Sequence, residues 1–421
     1  MADIRPIRAW RYNAQLSQRI DDLTSPLFDV VSERQRRQLY QEPFNSVHLS
    51  VPLVHNPAAL LGQWKSTGVL VQDEEPSIYV YYQYFSIPGE SNPLCRKGFI
   101  CHIRAYPFEE GVILRHENTI PDAVNDRIEL LRTTGLHVSP THGLYSDPEY
   151  VLEKFMDEAI RTPLYETEDY QGVRDVMARI TDPKILLVFL AHLHDKQIIL
   201  ADGHHRYESS LEILREHKAS NPRHTGQEGY NFHLMYLTNT ESGDLRILPT
   251  HRLIQNVERF DPVSLLAKLG RWFDLREISD PDTVPEVIHG KRWAFGLLIG
   301  DRAYKARLRP DVLPENHWPF PEAIKQLDLT VMHHFIIEKG LGIPGRDQRV
   351  SHQISFERSF TECLTRVMKQ EVQMALITNE VSIDEVKAVC HSGFTMPQKS
   401  TYFYPKVICG FLFSSILEDE Q

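Results

Sequence analysis

The stretch Gln197-Ile198-Ile199-Leu200-Ala201-Asp202-Gly203-His204-His205-Arg206-Tyr207 decides how this chain is read. It opens as a short apolar strand and runs straight into Asp-Gly. Helical spacing follows at once, with Tyr207, Leu211 and Leu214 at i, i+4 and i+7. A strand, a tight glycine turn and a helix start form a ready site for a phosphate, because helix N-terminal amides and the helix dipole favour a negative charge. Gly203 lets the backbone approach a ligand closely. Arg206 offers a planar donor fork suited to phosphate oxygens. Asp202 is placed to position Mg2+ or a substrate hydroxyl, and His204 and His205 add donors, one of which can titrate near neutral pH. The spacing is not a P-loop, and Gly-x-Gly-x-x-Gly is absent. A plainer reading of the same residues stays open: Asp202 caps the helix, and the two histidines are polar surface groups.

Working outward, Pro183–Leu193 reads as the helix before this strand, and Ala123–Arg132 as another. Ser32 can cap a short helix to Tyr40. Ile78–Ile87, Gly98–Tyr106 and Gly111–His116 read as a β-meander with Gly and Pro turns. Tyr230–Thr238 and Leu245–Leu248 read as paired strands, the second beside Gln197–Leu200. Further on, helices are expected at Val263–Leu269, Val284–Ile288, Leu329–Glu338 and Ile383–Cys390, with a hairpin over Trp293–Leu308. Strands and helices in this mixture predict an α+β fold (mixed α/β) with a mixed sheet and flanking helices. The expected division is 1–255 for the meander and the nucleotide-binding core, 256–370 for an inserted α/β subdomain, and 371–421 for a C-terminal segment returning to the active site.

Three other clusters carry chemistry. Arg115-His116-Glu117-Asn118 ends a strand, where a carboxylate can act as general base toward a hydroxyl; the alternative is an exposed Glu at a strand–loop junction. The run Met396 to Lys406 sets Lys399, Ser400 and Thr401 between two prolines, with Lys399 and Lys406 seven apart. It suits a carboxylate or phosphate, or else an edge strand with prolines at its ends. His251-Arg252 can add positive charge near the Asp202 loop. His192 with His194, and His333 with His334, lack a third ligand at zinc spacing.

The 421 residues suggest two or three domains, or one large α/β body with additions, and 42% hydrophobic residues support a sizeable core. Lys and Arg number 46 against 57 Asp and Glu, so the net charge of −11 argues against a broad nucleic-acid surface. The terminal Glu418-Asp419-Glu420 reads as short and solvated. The five cysteines, Cys95, Cys101, Cys363, Cys390 and Cys409, form no Cys-x-x-Cys pair and read as reduced thiols. Neither a signal peptide nor an apolar run of membrane length is seen, so a cytoplasmic enzyme is expected.

Ala201 through Glu208 resembles the signature of the family catalogued as domain of unknown function 1015. Ile4–Ala9, Pro26–Val30, Asp126-Arg127 with Leu130-Leu131, Gly143–Ser146 and Leu248–Arg252 fit it too, over nearly the whole chain. The resemblance implies a ParB/sulfiredoxin-like core in which the glycine loop binds nucleotide phosphates. In its order of motifs the sequence is similar to the free serine kinase family, which pairs a His-Glu-Gln element with an Asp-Gly-His-His-Arg loop and a late Pro-Lys-Thr-Thr loop. The matching positions are His116-Glu117-Asn118, Asp202 to Arg206, and Pro397-Gln398-Lys399-Ser400-Thr401. Asn118 stands in place of Gln, and Gln398 is an added residue. By that resemblance Glu117 is the base and Asp202 helps place Mg2+. Gly203, His204, His205 and Arg206 hold ATP or ADP, and Lys399, Ser400 and Thr401 grip L-serine or a similar small hydroxyl compound. The alternative is a ParB-like nucleotide-binding regulator. Sulfiredoxin chemistry needs a cysteine where His204 and His205 stand.

Overall fold

The computed structural model describes residues 1–417 and 420, except 54–55, 89, 170, 313–320, 350 and 398. Gln398, Glu418 and Asp419 therefore lie outside the described residues. The chain forms two compact units. The first holds Met1–Arg115, Thr119–Leu245 and Pro405–Gln421; the second holds His116–Asn118 and Arg246–Tyr404. The expected cuts at 255 and 370 fall elsewhere, since Arg246 to Tyr404 stays together.

The first unit carries β1 (Ile4–Arg5), β2 (Ile78–Phe85), β3 (Leu94–Arg104), β4 (Ile113–Arg115), β5 (Thr141–Tyr145), β6 (Tyr165–Glu168), β7 (Arg174–Ile180), β8 (Ile198–Asp202) and β9 (Phe232–Asn239). Its helices include α1 (Pro121–Thr134), α2 (Pro183–His194) and α3 (His204–Ser220). The sheet order is β4-β8-β5-β9-β3-β2-β7-β6, with β1 added on β3. Pairs β8/β4 and β9/β5 are parallel and the others antiparallel, so the sheet is mixed and the fold α+β, as expected.

Side chains of a strand alternate between faces. In β2, Tyr79 and Tyr81 join Ile100, Leu234 and Tyr236 in one core, while Ile78, Val80 and Tyr82 join Phe99, Met235 and Leu237 in another. Both faces are covered, which is why the strand reads Ile-Tyr-Val-Tyr-Tyr with no polar alternation. Proline at N1 starts α1 and α2, and the Asp182 side chain caps the latter by accepting from Lys184 N–H.

The meander ends after β3. The third expected strand, β4, pairs with β8 instead, because both edges of β3 are already taken by β2 and β9.

The second unit carries β10 (Arg246–Leu248), β11 (His251–Ile254), β12 (Phe273–Ile278), β13 (Ala294–Ile299), β14 (Arg302–Leu308), β15 (Ile354–Glu357), β16 (Met374–Ile377) and β17 (Tyr402–Tyr404). A six-stranded sheet runs β12-β14-β13-β16-β11-β15, and β10 pairs with β17. The expected hairpin is present as β13 and β14, joined through Gly300 at φ +61. Helices α4 (Pro262–Leu269), α5 (Phe360–Met368) and α6 (Ile383–Ser392) are capped by Asp261, Ser359 and a Ser382/Glu385 capping box. Val284, Leu298, Cys363, Val367 and Ala375 form the core beneath that sheet.

Two strand expectations are corrected. Leu245–Leu248 pairs with neither Tyr230–Thr238 nor Gln197–Leu200: β9 is flanked by β5 and β3, β8 by β4 and β5, and β10 joins β17. The helix expected over Leu329–Glu338 is α-helical only at Asp328–Val331, and widens to a π-helix over Met332–Gly340.

Candidate functional site

In the first unit, β8 leaves its ladder at an irregularity: Leu200 pairs with Gly143, then Asp202 with His142. Gly203 follows at φ +89. A Cβ there would meet Thr141 Cγ2 at 2.6 Å and Arg206 Nη2 at 2.9 Å, so the turn requires glycine on conformation and on space. The seventeen-residue α3 starts at His204 with no side-chain cap. The plainer reading of Asp202 as that cap therefore fails.

The Asp202 carboxylate is turned elsewhere. Oδ2 accepts from Arg206 Nη2 at 3.0 Å, and Oδ1 accepts from Lys406 Nζ. Burial alone would raise the Asp202 pKa, but Lys406 and Arg206 outweigh it and hold the carboxyl far below the ordinary range. The Lys406 backbone is also fixed, because its carbonyl accepts from Gln83 Nε2 at 3.0 Å and the Pro405 carbonyl accepts from Arg96. Gln83 donates at 2.8 Å to Asp175, which also accepts from the Tyr81 hydroxyl. Burial pushes the Asp175 carboxyl up to about 7. Burial, then Arg96, drives His142 well below its usual value, so it stands neutral and bonds Thr238 at 2.7 Å.

Arg206 is buried, and its fork is used within the protein. Nη1 donates to Ser139 Oγ at 3.0 Å and to the Pro140 carbonyl. The expectation of a guanidinium laid open to phosphate is corrected: Arg206 locks the loop and lends it charge. His205 Nε2 accepts from Ile120 N–H at 3.0 Å, so that nitrogen is an acceptor and not a phosphate donor. His204 is buried at the first helical position and is not the surface residue of the plainer reading.

Magnesium fits poorly at Asp202. Both oxygens face cations, and no group of three His, Cys, Asp or Glu able to hold a metal occurs among the described residues. His192 Nε2 lies 2.9 Å from Asp147 Oδ2, and His333 and His334 bond Gln348 and Glu338.

The second unit gathers the other expected residues. Glu117 forms a parallel bridge with Met396, and Met396 N–H donates to the His116 carbonyl at 2.8 Å. Glu117 is half-buried, not an exposed junction residue. His116 Nε2 bonds Thr401 Oγ1 at 2.8 Å, and Asn118 Nδ2 donates to Thr395 Oγ1 at 2.7 Å. The 116–118 segment and the late loop are thus one structure. Lys399 sits at φ +54, Ser400 Oγ donates to the Pro397 carbonyl, and Arg252 Nη2 donates to the Lys399 carbonyl at 3.4 Å. Burial lowers Arg252 to about 9, and Glu117 opposes that shift. His251 is buried on β11 beside Arg252, and burial lowers it to about 4.

Arg96 and Asp175 escape sequence reasoning, and Lys406, singled out with Lys399 in the late run, is not legible there as the partner of Asp202. The one local signal is Pro405-Lys406 at the end of the late run.

An α+β protein with a glycine turn between a strand and an uncapped helix is the class these features define. The chain belongs to the family described as protein of unknown function DUF1015, whose model matches residues 4–330. No curated protein matches it. Among solved structures, a conserved hypothetical protein from Pyrococcus furiosus is 12% identical, with TM-score 0.37, covering 74% of this chain and 94% of that one. A free serine kinase in complex with AMP is 11% identical, with TM-score 0.38, covering 79% and 94%. SbnI with C-terminal truncation from Staphylococcus aureus is 13% identical, with TM-score 0.36, covering 75% and 87%. No helix among the described residues is long and apolar enough to cross a membrane.

Proposed function

We propose that this chain is a small-molecule kinase with a ParB/sulfiredoxin-like core, which transfers a phosphate from ATP or ADP to the hydroxyl of free L-serine or a similar compound in the cytoplasm. The observation that carries the reading is the helix start at Gly203, which no side chain caps, with Lys406 and Arg206 held beside it by one part-buried carboxylate. One anion between two cations leaves the loop net positive, as a phosphate site requires. The order of the three motifs along the chain supports the same reading.

In this reading the helix start and the Lys406 ammonium bind the donor phosphates, and His204 adds to that wall. Asp202 is a positioning residue that aims the two cations. Glu117 takes the proton of the attacking hydroxyl as the new P–O bond forms and the bond to the leaving nucleotide breaks. Lys399 supplies charge for the acceptor. Ser400 and Thr401 shape the late loop, because their hydroxyls are bonded to Pro397 and His116. Positioning and charge neutralisation do most of the work in such transfers. No chain residue is assigned to magnesium.

The test is transfer of labelled phosphate from ATP, ADP and CTP to L-serine. Phosphoserine with at least one donor supports the reading. Nucleotide hydrolysis without phosphoserine turns it to a nucleotide-binding regulator, and no engagement of any nucleotide removes it.

A further inference from the structure

The second unit contains a cavity of about 370 Å³, within the range of small-molecule sites. Its wall includes the π-helical segment Met332–Gly340, which contributes His333, His334 and Glu338. A π-helix is rare, and it often marks a functional site because it re-aims side chains that an α-helix would stack. Met396 and Phe356 supply apolar surface.

The polar groups are specific. Thr330 is 7% exposed, lines the cavity, and its hydroxyl has no partner among the described residues. A buried hydroxyl left so costs about 1–3 kcal/mol unless something in the cavity bonds it. Glu338 accepts from His334 Nδ1 at 2.9 Å and from Gly345 N–H at 3.3 Å, so its carboxylate is held in place. Burial lowers His334, against the pull of Glu338, and burial lowers His333 to about 3, so both rings are neutral. His333 is fully used: Nδ1 bonds Gln348 at 2.7 Å, and Nε2 accepts from Arg252 at 3.2 Å. Among the described residues two unlike charges then remain on the wall, Glu338 and Arg349, and Arg349 has no ion pair there.

We infer that this cavity binds a small zwitterion of the amino-acid type, with its ammonium on Glu338, its carboxylate on Arg349 and a polar atom on Thr330. A simple anion would meet Glu338, and a simple cation would meet Arg349. A molecule with both charges answers both groups, and 370 Å³ limits it to modest size. The inference does not depend on phosphoryl transfer.

The experiment is calorimetric titration of the full chain, without nucleotide, using L-serine, glycine, acetate and ethylammonium as probes. L-serine or glycine should bind at least tenfold more tightly than acetate and ethylammonium. Arg349→Gln and Glu338→Gln should each weaken the zwitterion at least tenfold. Thr330→Val should weaken L-serine with no loss of Tm, and it decides the matter if Glu338→Gln fails to fold. No binding by either zwitterion overturns the inference, as does acetate or ethylammonium binding equally, or folded variants that bind unchanged. Zwitterion binding in a protein that makes no phosphoserine would keep this site and discard the kinase reading.

Discussion

Asp202 and Lys406 lie 204 positions apart and form a part-buried ion pair at the mouth of the Gly203 turn. Neither residue has meaning alone. Asp202 is a carboxylate that caps nothing, and Lys406 is a lysine at the end of a loop. Together with Arg206 they make a fixed, net-positive corner.

Lys406→Met leaves Asp202 with Arg206 alone. Breaking one arm of this part-buried pair should cost about 2 kcal/mol, read as a lower midpoint in urea unfolding. Asp202→Asn made in the Lys406→Met background should recover part of that loss, since no charge is then stranded. The Asp202 carboxyl is depressed in the folded state. Its stabilisation is therefore present above its unfolded pKa of about 4 and fades as pH falls below it. An unchanged midpoint in Lys406→Met would contradict the pair.

Asp175 behaves in the opposite sense. Its folded pKa is raised to about 7, so the folded state keeps a proton that the unfolded chain has lost. Stability from this group falls as pH rises from about 4 to 7. Asp175→Asn keeps an acceptor for Tyr81 and Gln83, and should be more stable than wild type at pH 8. The gain should be at most about 4 kcal/mol, shrinking toward zero at pH 4. Equal stability at pH 8 would mean that Asp175 is not protonated in the fold.

Gly203→Ala places a methyl 2.6 Å from Thr141 Cγ2 at φ +89. Strain and contact together should cost about 2–3 kcal/mol. Nucleotide affinity should drop well beyond any change seen with Gly243→Ala, where nothing lies within 4 Å of the added methyl. Equal affinities in the two variants would remove the turn from the binding site.

Local signals made part of this legible. The apolar run, glycine and helical spacing from Gln197 to Leu214 gave strand, turn and helix in the right order, and Ser32 and Pro183 marked helix starts. Pairing between distant strands was not legible. Nothing in Leu248 says that its neighbour is Tyr402, and nothing in Ile113 says that it will sit beside Ile198. The support of the loop was hidden for the same reason. Gln83, Arg96 and Asp175 look like polar interruptions of three strands until the sheet brings them to the Pro405 and Lys406 carbonyls. Ser400 and Thr401 were legible as a hydroxyl pair, but not as hydroxyls already bonded within their own loop.

The most direct measurement compares wild type with Glu117→Gln, reading nucleotide affinity and phosphoserine formation on the same preparations. ATP or ADP should bind both proteins within about threefold, while turnover falls by at least about 100-fold in the variant, as loss of a general base should produce. Full turnover in Glu117→Gln, or loss of nucleotide binding together with turnover, would contradict the division of labour between Glu117 and the Asp202–Arg206 loop.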